Sequence, residues 1–252
     1  MKDQPTIVTI PCFSGSPWRL EQMTPLAERP LRTMRLPVEP ESIEAYADFV
    51  TGELAGLERY VLVGDSFGAI VALALATRRP AGLEGLVLSG GFAADPVDSV
   101  LLRMKVQAGR FLPGPLYRQL TLRFHAAALA SPFDGEGDVP WDKAASRRLF
   151  LENTPWRAYA NRAKAAFSAD YVSRLGRIAV PTLILTPEHD TLIGPEAATI
   201  MREGIPDARE EVLPRTGHMF RFSHPARYAQ AVRQFLEARV DGARELPRVV
   251  NG

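Results

Sequence analysis

Short apolar, β-branched runs recur along the chain, separated by longer stretches whose apolar positions return every three or four residues. Runs of about four to eight such residues between turn formers predict strands, and the longer period predicts helices. Thr6-Ile7-Val8-Thr9-Ile10 reads as a first strand, followed by a Pro/Gly/Ser turn through Pro17. Arg32 to Val38 reads as a second strand. Ile43 to Leu54 has a helical period, and Ser42 suits its N-cap, although Ala45 stands where a full capping box would need Glu or Gln. Tyr60-Val61-Leu62-Val63 is the clearest buried strand and leads through Gly64-Asp65-Ser66-Phe67-Gly68 into an alanine-rich helix, Ala69 to Arg78, stopped by Pro80.

Further strands are predicted at Leu83 to Ser89, Val180 to Thr186 and Arg209 to Leu213. His224-Pro225 opens a last amphipathic helix reaching about Val240, with proline suited to its first turn. The tail from Asp241 to Gly252 reads as frayed. Strands alternating with helices argue for an α/β fold, a mostly parallel central sheet with helices on both faces. Between Val97 and Asp170 the strand pattern disappears. That stretch is helical and aromatic-rich, with Phe111, Tyr117, Phe124, Trp141, Phe150, Trp156, Tyr159 and Phe167. The expected organisation is therefore a core made of residues 1–96 and 171–252, with a helical cap inserted at 97–170.

Composition adds exclusions. With 30 Lys and Arg against 29 Asp and Glu, and no block of like charge, nothing marks a nucleic-acid or membrane-surface partner. No apolar run approaches a membrane span, and the N-terminus MKDQPTIVTIPCF lacks the long apolar stretch of a secretory signal. Cys12 is the single cysteine, so no internal disulfide can form. Cytoplasmic residence is the expectation. Oligomeric state is not legible.

The chemistry centres on Gly64-Asp65-Ser66-Phe67-Gly68, a G-x-S-x-G match. Such matches arise by chance, but this one directly follows a buried strand and opens a helix, as a nucleophile elbow requires. Without a lysine after the second glycine, it is a poor phosphate loop. A serine hydroxyl needs a base to take its proton. Of His125, His189, His218 and His224, His218 is favoured, because its loop Arg215-Thr216-Gly217-His218-Met219 follows the last strand. His125 lies in the insertion, His189 in a turn, and His224 at a helix start. The acid that orients the base is expected at Asp190, after a strand and before His218 in the chain. Asp95, also after a strand, is the rival, though an aspartate before Pro96 has an ordinary turn role.

The order Ser66, Asp190, His218, with the elbow strand and the helical insertion, resembles the α/β-hydrolase superfamily over about Thr6 to Val240. The stretch Arg174 to Asp190 is similar to the cap-exit and acid-bearing strand of small bacterial serine hydrolases. The resemblance implies a cap over the site, no cofactor and no metal. It further implies an oxyanion hole made of the Phe13 and Phe67 backbone N–H groups. One departure stands out: family members usually carry His-Gly where this chain has Pro11-Cys12. Backbone donors need no particular side chain, but a Cβ at residue 12 can alter the turn, and one lost donor costs about 10²–10³ in rate. Cys12 itself reads first as a small buried residue, with a reactive thiol as the sharper alternative.

The insertion holds 11 Lys and Arg against 7 Asp and Glu. A basic entrance would favour an anionic small-molecule acyl substrate, whereas a solvated helical face is the plainer account. The function expected is hydrolysis of a carboxylic ester, thioester or lactone through an acyl-serine. Carbon–carbon bond hydrolases and cofactor-free haloperoxidases share the triad, and a ligand sensor on the same fold is a further alternative. A haloalkane dehalogenase would need Asp in place of Ser66.

Overall fold

The computed structural model describes residues 4–96, 104 and 112–242. The buried runs become six strands: β1 (Thr6–Ile10), β2 (Leu31–Thr33), β3 (Tyr60–Asp65), β4 (Leu83–Ser89), β5 (Thr182–Pro187) and β6 (Ala208–Leu213). They form one sheet in the order β2-β1-β3-β4-β5-β6, every neighbouring pair parallel. Parallel neighbours require crossovers, which run through α1 (Leu20–Met23), α2 (Ile43–Glu53), α3 (Phe67–Ala76), α4 (Gly114–Ala128), α5 (Lys143–Asn153), α6 (Trp156–Phe167) and α7 (Pro195–Gly204), whereas α8 (Phe220–Ser223) and α9 (Pro225–Phe235) follow the last strand.

Both faces of the sheet are covered, which is why the central strands β1, β3 and β5 are mostly apolar on both sides, while the edge strands β2 and β6 carry charged residues. Val8, Ile10, Leu62, Leu86, Leu88 and Ile184 pack with α2, α3 and α7. Ile7, Val61, Val63, Val87, Leu183 and Leu185 point the other way, onto α9 and Trp18. Helix α3, apolar on every side, has all ten residues buried, as expected of a helix without a polar face. Ser42 caps α2 as its position suggested, accepting from the Ala45 N–H at 3.2 Å.

Several boundaries differ from the sequence pattern. The second strand ends at Thr33 rather than Val38, because the chain leaves the ladder and the Leu36 N–H donates to Gly15 O at 3.0 Å. The last α-helix stops at Phe235, and Leu236–Asp241 continue as a wider π turn. Helix α7 went unread from the sequence; its N-cap is Gly194, without a side-chain cap, and Pro195 opens it. Of the stretch 97–170, residues 97–103 and 105–111 lie outside the described residues, as does the tail from 243. The remainder includes α4, α5 and α6, whose Tyr117, Leu122, Ala126, Phe150 and Tyr159, with Trp141 just ahead of α5, form a third apolar cluster with Cys12, Met219 and Phe222 of the core. Among the described residues no helix is long and apolar enough to cross a membrane.

Candidate active site

The carboxyl ends of β3, β5 and β6 deliver three side chains to one place. Ser66 follows β3 directly and takes φ 53°, ψ −112°, a conformation that costs a non-glycine residue about 1–3 kcal/mol. The strain is sustained by steric necessity on both sides. A Cβ on Gly64 would lie 2.4 Å from Gly68 O, and one on Gly68 would lie 2.2 Å from Ile10 O. The Ser66 N–H donates to Ser89 O at 2.7 Å, which ties the elbow to β4.

His218 stands in the loop after β6. Its Nε2 is 2.9 Å from Ser66 Oγ and its Nδ1 is 2.7 Å from Asp190 Oδ2. The other oxygen of Asp190 accepts from the N–H groups of Leu192 and Ile193, both at 2.9 Å. The carboxylate is therefore fixed by the start of the loop it sits in. The His218 and Asp190 side chains are only 3% and 6% exposed. Burial alone would discourage a charge on the imidazole, but the Asp190 carboxylate overrides it and holds the pKa above the usual 6.5.

Asp95 does not share this line. Its backbone N–H donates to Ala169 O at 3.0 Å, and its neighbour Ala94 bridges Asp170, so this turn secures the end of the helical insertion. The Nδ1 of His224 is 2.9 Å from Ser223 Oγ, and exposed His189 pairs with Glu188 at 3.1 Å. Cys12 is buried, with its sulfur 3.3 Å from Ser14 Oγ. Burial, reinforced by nearby Asp65, pushes its thiol pKa up, which favours the inert reading over the reactive one.

The turn after Pro11-Cys12 is held by a feature the sequence did not announce. Arg162 of α6, 1% exposed, donates to Phe13 O at 2.9 Å and to Leu36 O and Pro37 O at 3.2 and 3.1 Å. Gly15, at φ 70°, leaves the space the guanidinium fills, since a Cβ there would lie 2.4 Å from it. The Phe13 and Phe67 rings meet edge to face at 5.8 Å, so the two residues expected to supply oxyanion donors are neighbours. Phe67 opens α3, where first-turn N–H groups lack helical partners. The signal for Arg162 was its place in the apolar stripe Ala158, Tyr159, Arg162, Ala163, Ala166. By contrast Arg123, Lys143, Arg147, Arg148, Arg157 and Lys164 are exposed, so among the described residues most of the insertion's basic side chains face solvent.

Asp65 and Arg221 were also missed. Arg221 Nε and Nη2 lie 2.8 and 2.7 Å from Asp65 Oδ2, with both side chains almost fully buried. The guanidinium also stacks on Phe222 and Trp18, at 4.1 and 4.6 Å. This pair joins the residue before Ser66 to the turn just after His218. An unpaired carboxylate beside the nucleophile would oppose negative charge developing there; the arginine neutralises it. Among the described residues no cluster of His, Cys, Asp and Glu suited to a metal ion occurs.

A parallel sheet with a strained serine at a strand-to-helix turn, hydrogen-bonded to a His–Asp pair, defines the α/β-hydrolase class of architecture. Residues 7–231 match the alpha/beta hydrolase family, and the chain belongs to it. It is similar to 2-hydroxy-6-oxononadienedioate/2-hydroxy-6-oxononatrienedioate hydrolases of Paraburkholderia phymatum, at 31% identity over 72% of this chain, and Cupriavidus pinatubonensis, at 29% over 71%. The matches span 63% of the length of these relatives. The enol-lactonase of Burkholderia xenovorans shares the fold with a TM-score of 0.77, at 20% identity over 93% of this chain and 92% of that one.

Proposed function

We propose that the protein is a serine hydrolase that cleaves a carboxylic ester, thioester or lactone through an acyl-serine intermediate. The observation that carries this reading is the unbroken hydrogen-bonded line from Asp190 through His218 to Ser66, at 2.7 and 2.9 Å. His218 Nε2 takes the Ser66 proton as Oγ attacks the acyl carbon, and Asp190 stabilises the imidazolium that forms. The carbonyl electron pair moves onto oxygen, and the Phe13 and Phe67 N–H groups are the donors proposed for the resulting oxyanion. Collapse expels the alkoxide or thiolate, which takes the proton from His218. The neutral imidazole then activates water, and hydrolysis of the acyl-serine returns Ser66. The helices α4–α6 serve as the cap over this site, with residues 97–170 as the capping unit and the rest as the core.

A second reading, hydrolysis of a carbon–carbon bond beside a ketone, is supported by the names of the 29–31% identical relatives. It uses the same Ser66 and His218 but needs a carbon leaving group stabilised as an enol. Labelling with a fluorophosphonate probe tests what both readings share: the wild type reacts and Ser66→Ala does not. Equal labelling of the two proteins, or none of either, would overturn the hydrolase assignment and favour a ligand sensor. Turnover of p-nitrophenyl esters of graded chain length, set against a 2-hydroxy-6-oxo-dienoate, separates the first reading from the second.

A further inference from the structure

The insertion carries a histidine that the triad does not use. His125, on α4, packs its ring edge-on against Phe13 at 5.3 Å and lies 4.9 Å from Phe150. Phe13 is the residue whose amide is assigned to the oxyanion hole, so His125 touches the side chain of that residue from the insertion. Its Nδ1 is 2.8 Å from the Tyr159 hydroxyl. Tyr159, of α6, packs on Phe13 as well, at 4.9 Å. Two helices of the insertion thus bring one polar pair into an otherwise aromatic wall.

The pair has a defined polarity. Burial, with the His218 charge adding to it, lowers the His125 pKa to about 3, so the ring is neutral at physiological pH. The same influence of His218 places the two imidazoles in one electrostatic neighbourhood. A phenol is a good donor and a poor acceptor, whereas a neutral imidazole nitrogen accepts strongly, so Tyr159 donates to Nδ1. The remaining ring proton then sits on Nε2. That nitrogen has no protein partner among the described residues, nor is it among the sealed polar atoms. Thr121 also neighbours the Tyr159 hydroxyl and donates its own proton to Tyr117 O at 2.7 Å. His125 is partly exposed, and a polar group left free among aromatic side chains can fix the orientation of a ligand.

We propose that His125, oriented by Tyr159, donates a hydrogen bond to a second oxygen of the substrate, a few bonds from the scissile carbonyl. The preferred substrates are therefore acyl compounds bearing a keto, ether or similar oxygen acceptor on the chain, rather than plain fatty esters. The proposal rests on the hydrolase reading for the position of the scissile carbonyl, and it adds a selectivity that reading does not contain.

Matched pairs of esters test it. p-Nitrophenyl 4-oxopentanoate is compared with p-nitrophenyl pentanoate, and p-nitrophenyl methoxyacetate with p-nitrophenyl butanoate. In the wild type kcat/KM favours the oxygenated member by roughly three- to tenfold, the range of one net neutral hydrogen bond. His125→Phe keeps a ring against Phe13 and Phe150 but removes both nitrogens, and the ratio falls to about one. Tyr159→Phe, which deletes one oxygen, lowers the ratio partway and stands in if His125→Phe does not fold. A ratio unchanged in either folded variant overturns the proposal, as does a wild type with no preference. If no ester is turned over, equilibrium binding of ethyl 4-oxopentanoate and ethyl pentanoate to Ser66→Ala protein gives the same comparison. Equal binding there overturns the His125 role, while a missing fluorophosphonate label in the wild type separately overturns the hydrolase reading.

Discussion

Replacing Arg221 with Met tests whether the ion pair under the elbow is structurally required. Met retains an apolar stem between Trp18 and Phe222 but removes the charge that pairs with Asp65. The two side chains are 2% and 4% exposed, so the Asp65 carboxylate cannot recover its lost partner from bulk water. Removing one member of a buried pair costs about 3–5 kcal/mol. For a domain of this size about 2–4 °C of Tm accompanies each kcal/mol, which predicts a fall of roughly 6–20 °C. Replacing both residues, as Asp65→Asn with Arg221→Met, removes the orphaned charge, and the double variant should recover at least ~2 kcal/mol relative to Arg221→Met alone. Urea unfolding followed by far-ultraviolet circular dichroism reads all four proteins of the cycle, and an unchanged m-value shows that the same surface is exposed in each. The reasoning is refuted if Arg221→Met costs less than ~1 kcal/mol, or if the two substitutions are simply additive.

Two further outcomes follow from the site. His218 must be neutral to accept the Ser66 proton, and Asp190 holds its pKa above 6.5, so kcat/KM falls as pH drops through that raised value. Stability linked to the same group runs oppositely: it is fully present below about 6.5 and is lost as pH rises through the folded pKa. Asp190→Asn removes the strongest opposition to burial, leaving only the weaker pull of Asp65 and Asp134, which moves the acid limb of the pH profile downward and cuts kcat by about 10⁴; an acid limb that stays in place would remove Asp190 from its assigned role. Ser66→Gly should abolish turnover yet raise stability by about 1 kcal/mol, because glycine adopts φ 53° without the penalty serine bears. Thermal melts showing no gain would indicate that the elbow is unstrained.

Much of the core was legible because local rules dominate there. Strands β1, β3 and β4 are dense apolar runs between turn formers, and their burial on both faces preserves that density in the sequence. The elbow was legible for a related reason. Gly64 and Gly68 are demanded by backbone atoms within a few residues of Ser66 or on the adjacent strand, so the pattern G-x-S-x-G carries its own steric context. Boundaries were less secure where a distant partner intervened. The chain after Thr33 leaves the sheet because Leu36 bonds to Gly15, a contact no periodicity reveals.

Local signals along the chain carry the alternation of strands and helices, the serine at the tight elbow, and the order of serine, acid and histidine. Only the tertiary structure decided that Asp190 rather than Asp95 meets His218, that Asp65 is neutralised by Arg221, and that Arg162 reaches back from α6 to hold the Phe13 turn. The physical reason is range. Backbone conformation and apolar periodicity are set by neighbours a few residues apart. Charge pairing and hydrogen-bond direction depend on groups far apart in the chain, Asp65 and Arg221 by 156 positions, and such groups acquire their partners only when folding brings them together.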